Sequence, residues 1–196
     1  KTKQKILNIA ARHNFVPNNS RKYNHNHRTE NIGVVFCKES QPLSGNPFYS
    51  RVLEGIEGEL VLNNYNLVLN LLPENAGNGI PKMIKERKID GLIMIGIMTD
   101  DFIQQIKNIE IPVISVDPAY EHADLNKVTI DNERCAYIAT KYLIDKGHKK
   151  IAFISGVLER SSFKYRFNGY AKAMKSFGLP IIDDYIKCSG VEKEIG

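Results

Sequence analysis

NIGVVFC, residues 31–37, is an apolar run rich in β-branched side chains, and its reading decides the fold. A strand with one wet face alternates apolar and polar residues. A continuous apolar run is the pattern of a strand buried on both faces. Outward from it the same kind of segment recurs as NLVLNLL (66–72), GLIMIG (91–96), PVISVD (112–117), the shorter KVTID (127–131), KIAFISG (150–156) and the start of IIDDYIKCSG (181–190). Amphipathic stretches lie between these runs. Tyr49, Val52, Leu53, Ile56 and Leu60 form a helical stripe, with Arg51, Glu54, Glu57 and Glu59 off that face. Further helices are expected at roughly 80–89, over 100–109 with Thr99 as N-cap, over 133–146 ending at Gly147-His148, and over 162–177. The last of these places Phe163, Phe167, Tyr170, Met174 and Phe177 on one side for burial. Strand–helix alternation with apolar strands gives an α/β fold whose parallel, doubly wound sheets are covered on both faces. Right-handed crossovers then gather the loops after the strands on one edge, where such sheets bind small ligands. That edge carries Ser40 to Phe48, Gly96 to Thr99, Asp117-Pro118, Asp131-Asn132 and Gly156 to Ser162.

The 196 residues are 42% apolar and 25% charged, the composition of a folded domain or two rather than of a disordered chain. The net charge of +5 is unevenly placed. Residues 1–29 hold seven of the 27 basic side chains and no acid, which leaves 20 bases against 22 acids for the remainder. A basic arm on a near-neutral body points to an acidic polymer as partner, nucleic acid before a membrane surface. The arm contains a short helix, 2–14, with Ile6, Ile9, Ala10 and His13 on one stripe, ended by Pro17. Then comes PNNSRKYNHNHRTENIG (17–33), a linker whose cations, amides and hydroxyl suit phosphate contacts better than a Gly/Ser spacer would. Three widely spaced cysteines, Cys37, Cys135 and Cys188, fit neither a disulfide framework nor a zinc spacing, so reduced thiols in a cytoplasmic protein are expected. No run is long enough for a transmembrane helix and no signal-peptide core opens the chain. The chain starts within a pattern, without Met, and its seventh strand has little sequence after it; the reading is of a fragment.

Several suggestive features carry no chemistry. His25 and His27 lack a third ligand for a metal. Gly77-Asn78-Gly79 lacks the further glycine and lysine of a phosphate loop, so no cofactor fingerprint is present. Ser161-Ser162 has no His–Asp arrangement to make a nucleophile. An enzyme is therefore not the expected class.

TKQKILNIAARHNFVPN (2–18), RTENIGVVF (28–36), NPFYSRVLEGIEGELVLNNYNLVL (46–69), IDGLIMIG (89–96), VTIDNERCAYIATKYLIDKGHKKIAFISG (128–156) and LERSSFKYRFNGYAKAM (158–174) resemble, in order and spacing, the lactose/galactose repressor (LacI/GalR) family of bacterial transcription regulators. The resemblance implies a periplasmic-binding-protein-like core of two subdomains, preceded by the end of a helix-turn-helix head and a hinge. It divides the chain into a head remnant (1–16), a hinge (17–29), an N-terminal core subdomain (30–147) and the truncated start of a C-terminal subdomain (148–196). It implies a DNA-binding repressor of carbohydrate genes, controlled by a small sugar held between the subdomains. The implied partners are operator DNA, a sugar effector, a second copy in a homodimer meeting through 49–62 and 80–89, and a phosphocarrier protein as co-regulator, with no membrane. An alternative is a periplasmic-type sugar-binding protein with the same core and no DNA-binding function.

By the same resemblance, Asn18, Asn19, Ser20, Arg21, Tyr23, Asn24 and Arg28 belong to the DNA-binding hinge. Asn24 occupies the place of the family's minor-groove wedge, usually Leu, and Arg21 that of a small residue which lets two hinges touch. Both depart from the pattern, so hinge insertion is expected either to be weak or to use Tyr23 instead. The implied effector contacts are Phe48 and Tyr49 as an aromatic wall, Asp131 as hydroxyl acceptor, Arg160, Ser162 and Arg166 on the opposite lip, and Asp117 at the end of the fourth strand. Carboxylates and guanidinium forks match vicinal hydroxyls, and aromatic faces cover a sugar's C–H surface. Asp131 is also placed to cap the helix that follows it.

Overall fold

The computed structural model describes residues 28–37, 47–72, 79–107, 109–120 and 125–189. The helix expected over 2–14 and the hinge residues Asn18, Asn19, Ser20, Arg21, Tyr23 and Asn24 lie outside them, while Arg28 opens them as an exposed side chain.

Strand β1 (Asn31–Cys37) is central because it has apolar groups for two faces. It pairs in parallel with β2 (Asn66–Leu72) on one side and β3 (Gly91–Ile95) on the other. Strands β4 (Val113–Val116) and β5 (Asn126–Val128) extend the sheet, also in parallel, to the order β2-β1-β3-β4-β5. Val34 and Val35 are both 0% exposed and, as neighbours on a strand, they enter opposite layers. Val34 and Phe36 meet Tyr49, Val52, Leu53 and Ile56 of helix α1 (Pro47–Leu62). Val35 joins Leu92, Met94 and the apolar sides of two helices, α2 (Lys82–Lys85) and α3 (Asp100–Lys107). The start of β1 is pinned by Asp90, whose carboxylate accepts from Thr29 N–H and Oγ1–H at 2.7 Å each and from Glu30 N–H at 2.9 Å.

Helix ends follow local chemistry. Thr99 caps α3, its hydroxyl accepting from Phe102 N–H at 3.3 Å. The helix expected over 80–89 is only the four residues Lys82–Lys85. Pro81 precedes it and Arg87, at φ 49°, breaks it, so that Ile89 turns inward to 3% exposure beside Met83.

Beyond β5 the chain builds a second layered unit. It comprises α4 (Asn132–Asp145), β6 (Phe153–Ser155), α5 (Ser161–Ser176), a 3-10 turn (Asp183–Tyr185) and β7 (Ile186–Cys188). Strands β6 and β7 pair in parallel. The strand expected over 181–190 is thus a turn followed by three strand residues. Helix α4 ends where Gly147, at φ 92°, takes the left-handed geometry that closes a helix, and His148 N–H reaches back to the Leu143 carbonyl. Tyr170, Met174 and Ile151 form the core of this unit with Ile144, Phe153 and Phe167 packed on it, and the Tyr170 hydroxyl donates to the Ile151 carbonyl at 2.9 Å. Of the aromatic stripe on α5, Tyr170 is 2% exposed, while Phe177 at its end is 42% exposed. Helices α4 and α5 pack side by side at Gly169, where a Cβ would stand 2.0 Å from the Glu133 carbonyl oxygen. A division between 147 and 148 would therefore part α4 from the helix against which it lies.

Candidate functional site

The edge formed by the ends of β4 and β5 meets the first turns of α4 and α5 around a cavity of about 770 Å³. Asp117, Asp131 and Ser162 line it, three of the seven residues expected to contact an effector. Asp117 follows β4 directly. Its backbone sits at φ 48°, a region that Asp tolerates better than most residues. Its N–H donates to the Val128 carbonyl at 3.0 Å, and its carboxylate accepts from the Tyr49 hydroxyl, also at 3.0 Å.

Tyr49 itself is 5% exposed, with its ring edge-on to Phe36 at 5.2 Å and to Phe48 at 5.0 Å. It is a core residue bonded to the wall residue Asp117, and Phe48, 40% exposed, leans on its ring. Neither lines the cavity. Asp131 combines two placements: it lies on the cavity wall and caps α4, accepting from Arg134 N–H at 2.9 Å. Ser162 lies in the first turn of α5. Arg160 holds the N-cap position of that helix without a side-chain cap bond, and lies off the cavity wall. Arg166 is also off the wall but donates from Nε to Oδ1 of Asn132 at 2.7 Å, and Asn132 is a wall residue.

Other wall residues were not expected. Tyr165, Lys172 and Ser176 continue the α5 face that begins at Ser161, a helical spacing visible in the sequence once Ser162 is placed. Lys172 donates to Glu133 Oε1 at 2.8 Å, and this bond holds its ammonium pKa above the ordinary 10.5. Lys127, on the weakest predicted strand, had no such signal. Among the described residues the wall carries three acids (Asp117, Asp131, Glu133) and three bases (Lys127, Arg134, Lys172), whose formal charges balance. Among the described residues no three His, Cys, Asp or Glu side chains are grouped to hold a metal ion, and no helix is long and apolar enough to cross a membrane.

Comparison with known proteins places this arrangement. Residues 29–192 match the family of periplasmic binding proteins and the sugar binding domain of the LacI family. The chain is 31% identical over 189 residues to catabolite control protein A of Priestia megaterium, covering 94% of this chain and 55% of that protein. It is 29% identical over 196 residues to the HTH-type transcriptional repressor PurR of Vibrio campbellii, again covering 94% and 55%. A solved LacI regulator from Bacillus cereus subsp. cytotoxis superposes with a TM-score of 0.70 at 27% identity, over 84% of this chain and 60% of that one. The chain thus spans about half the length of the relatives it matches. Its fold, an α/β arrangement with a parallel sheet, is that of this group, and the chain belongs to the family of periplasmic binding proteins and LacI-family sugar-binding domains.

Proposed function

We propose that the chain is the sensing core, with an adjoining hinge, of a cytoplasmic DNA-binding repressor controlled by a small sugar. The observation that carries this reading is the cavity at the junction of the two units. Its charges and hydroxyls suit a neutral polyhydroxyl ligand, since Asp117, Asp131 and the Glu133–Lys172 pair already have partners in the protein and the charges of the described wall residues balance. The family description and the repressor names of the relatives support it. The seven basic residues within 1–29 supply the side for operator DNA.

In this reading Asp117, Asp131 and Ser162 contact the sugar from the wall, Arg166 reaches it from behind the wall residue Asn132, Phe48 and Arg160 flank it, and no chemistry is performed on it. The units divide at 129–131, which keeps α4 with α5. Two copies associate through α1, where Val61 is 61% and Leu62 76% exposed. A sugar bound between the units changes DNA affinity only through its different affinity for their two arrangements. Calorimetric titration of the chain with cellobiose, maltose and ribose tests the first half, and heat of binding is expected with at least one. For the second half, operator affinity of the protein with its DNA-binding head is expected to fall steeply and linearly with log salt. A flat salt response, or a silent panel, counts against the corresponding half.

A further inference from the structure

We infer that Asn132 is a positioning residue that holds the Arg166 guanidinium by its Nε–H and leaves the terminal nitrogens for the effector; the inference rests on the sugar-sensing reading above. Asn132 is the first residue of α4 and is 6% exposed, so its amide must find partners within the protein. It finds one for each end. Oδ1 accepts from Arg166 Nε at 2.7 Å, and Nδ2 donates to the Ile130 carbonyl at 3.2 Å. The orientation of the amide is dictated by its neighbours, because arginine only donates and a carbonyl only accepts. With one bond at each end the amide is fixed in orientation, and so fixes the direction of the Arg166 Nε–H.

The guanidinium is held a second time by Phe163, whose ring centroid lies 5.6 Å from Cζ. Only one of its five N–H donors is engaged by Asn132. Among the described residues the four N–H groups on Nη1 and Nη2 have no hydrogen-bond partner. An arginine on a mobile stem loses rotamer freedom when it binds; one already held at Nε has lost it beforehand. The choice of amide over carboxylate has a chemical reason. A carboxylate would accept the same hydrogen bond but would neutralise the cation, whereas the amide fixes direction and leaves the full charge for a ligand's oxygens.

The Arg166 side-chain N–H resonance of the full chain tests the hold without any ligand. Slow exchange with water is expected in the wild type and in Asn132→Asp, which retains an acceptor, and fast exchange in Asn132→Ala. Equal exchange in all three overturns the inference. The same variants are then titrated with cellobiose, maltose and ribose. Asn132→Ala is expected to bind about three- to tenfold more weakly, the range for freeing one long side chain. Unchanged affinity overturns the positioning role. Arg166→Lys keeps the charge but has no Nε–H, so it should weaken binding similarly, and the double variant should add little to either. Full additivity of the two changes overturns the coupling, and where Asn132→Ala is too unstable to use, unchanged sugar affinity in Arg166→Lys overturns the role of the Nε–H bond. If no sugar in the panel binds the wild type, the sugar reading fails, while N–H exchange still decides whether Asn132 holds Arg166.

Discussion

The backbone N–H of Ser161 donates to the carbonyl of Ala119 at 2.8 Å, which ties the first turn of α5 to the loop after β4. One residue belongs to the two-stranded unit and the other to the five-stranded sheet, so this hydrogen bond crosses the cavity's junction.

Ser161→Pro removes that donor and little else. Ser161 is the first residue of α5, where proline is favoured, and Arg160 before it is already extended at φ −79°, ψ 129°. Unchanged far-UV circular dichroism is expected, with a stability loss of about 1 kcal/mol in denaturant titration, the net worth of one hydrogen bond. Loss of helix content would show that the proline acts on α5 rather than on the junction.

Gly169→Ala places a methyl group against the Glu133 carbonyl oxygen at 2.0 Å and the Tyr137 nitrogen at 2.9 Å. Both obstacles are backbone, so α4 and α5 must part. Overpacking of this kind costs about 2 kcal/mol, more than the helix propensity gained, and Tm should fall by about 4–8 °C. A rise in Tm would mean that the helices are not locked together here.

Tyr49→Phe keeps the ring among Phe36 and Phe48 and removes only the hydroxyl on Asp117. A cost of about 1 kcal/mol is expected. Combined with Asp117→Asn the effects should be non-additive by about 0.5 kcal/mol or more, since the two residues are donor and acceptor of the same hydrogen bond. Simple additivity in a double-mutant cycle would leave Tyr49 as packing alone.

Asp131 can be separated into its two placements. Asp131→Ala loses the cap on α4 and should cost about 1 kcal/mol, whereas Asp131→Ser retains a capping oxygen and should cost little. Sugar binding should weaken in both. Should it weaken only in the alanine variant, Asp131 serves the helix and not the ligand.

Alkaline pH should loosen the second unit. Burial pushes the Tyr170 hydroxyl above its ordinary 10.0, and Glu133 pushes Lys172 above 10.5. Each group keeps its proton in the folded chain at a pH where the unfolded chain has released it. Their stabilisation is therefore complete below the unfolded values and lost as pH rises through the folded ones. Tm measured from neutral pH upward should fall most steeply above pH 10, and less steeply in Tyr170→Phe. Added salt should blunt the exposed Lys172 contribution and leave that of Tyr170.

Much of this arrangement is legible in the sequence. Runs such as GVVF and LIMI have no polar alternation, so two-sided burial and parallel pairing follow from them directly. Asp131, Ser162 and Asp117 could be placed on one edge because crossover handedness is nearly invariant. Tyr49 was misplaced as a wall residue because an aromatic at the start of a helix reads alike whether it faces a cavity or a sheet, and only the packing of Phe36 decides. Asn132 was legible as a residue of the ligand edge, but not as the partner of Arg166. Its partner Arg166 is 34 residues away, and no local pattern encodes a bond between two helices. The short α2 escaped because Arg87 adopts a positive φ that its residue type does not advertise.

The link from β5 to α4 is the three residues 129–131. Fully extended, three residues reach about 10 Å. A tether of that length lets one body pivot on the other but keeps them from drifting apart, and it begins beside Asp117 and ends in the cap of α4. Any rotation about the torsions of Thr129 and Ile130 turns Asn132 with the helix it begins. A molecule lodged against Asp131 sits on the pivot itself, where a small change of angle sweeps the far ends of both bodies through the largest arc.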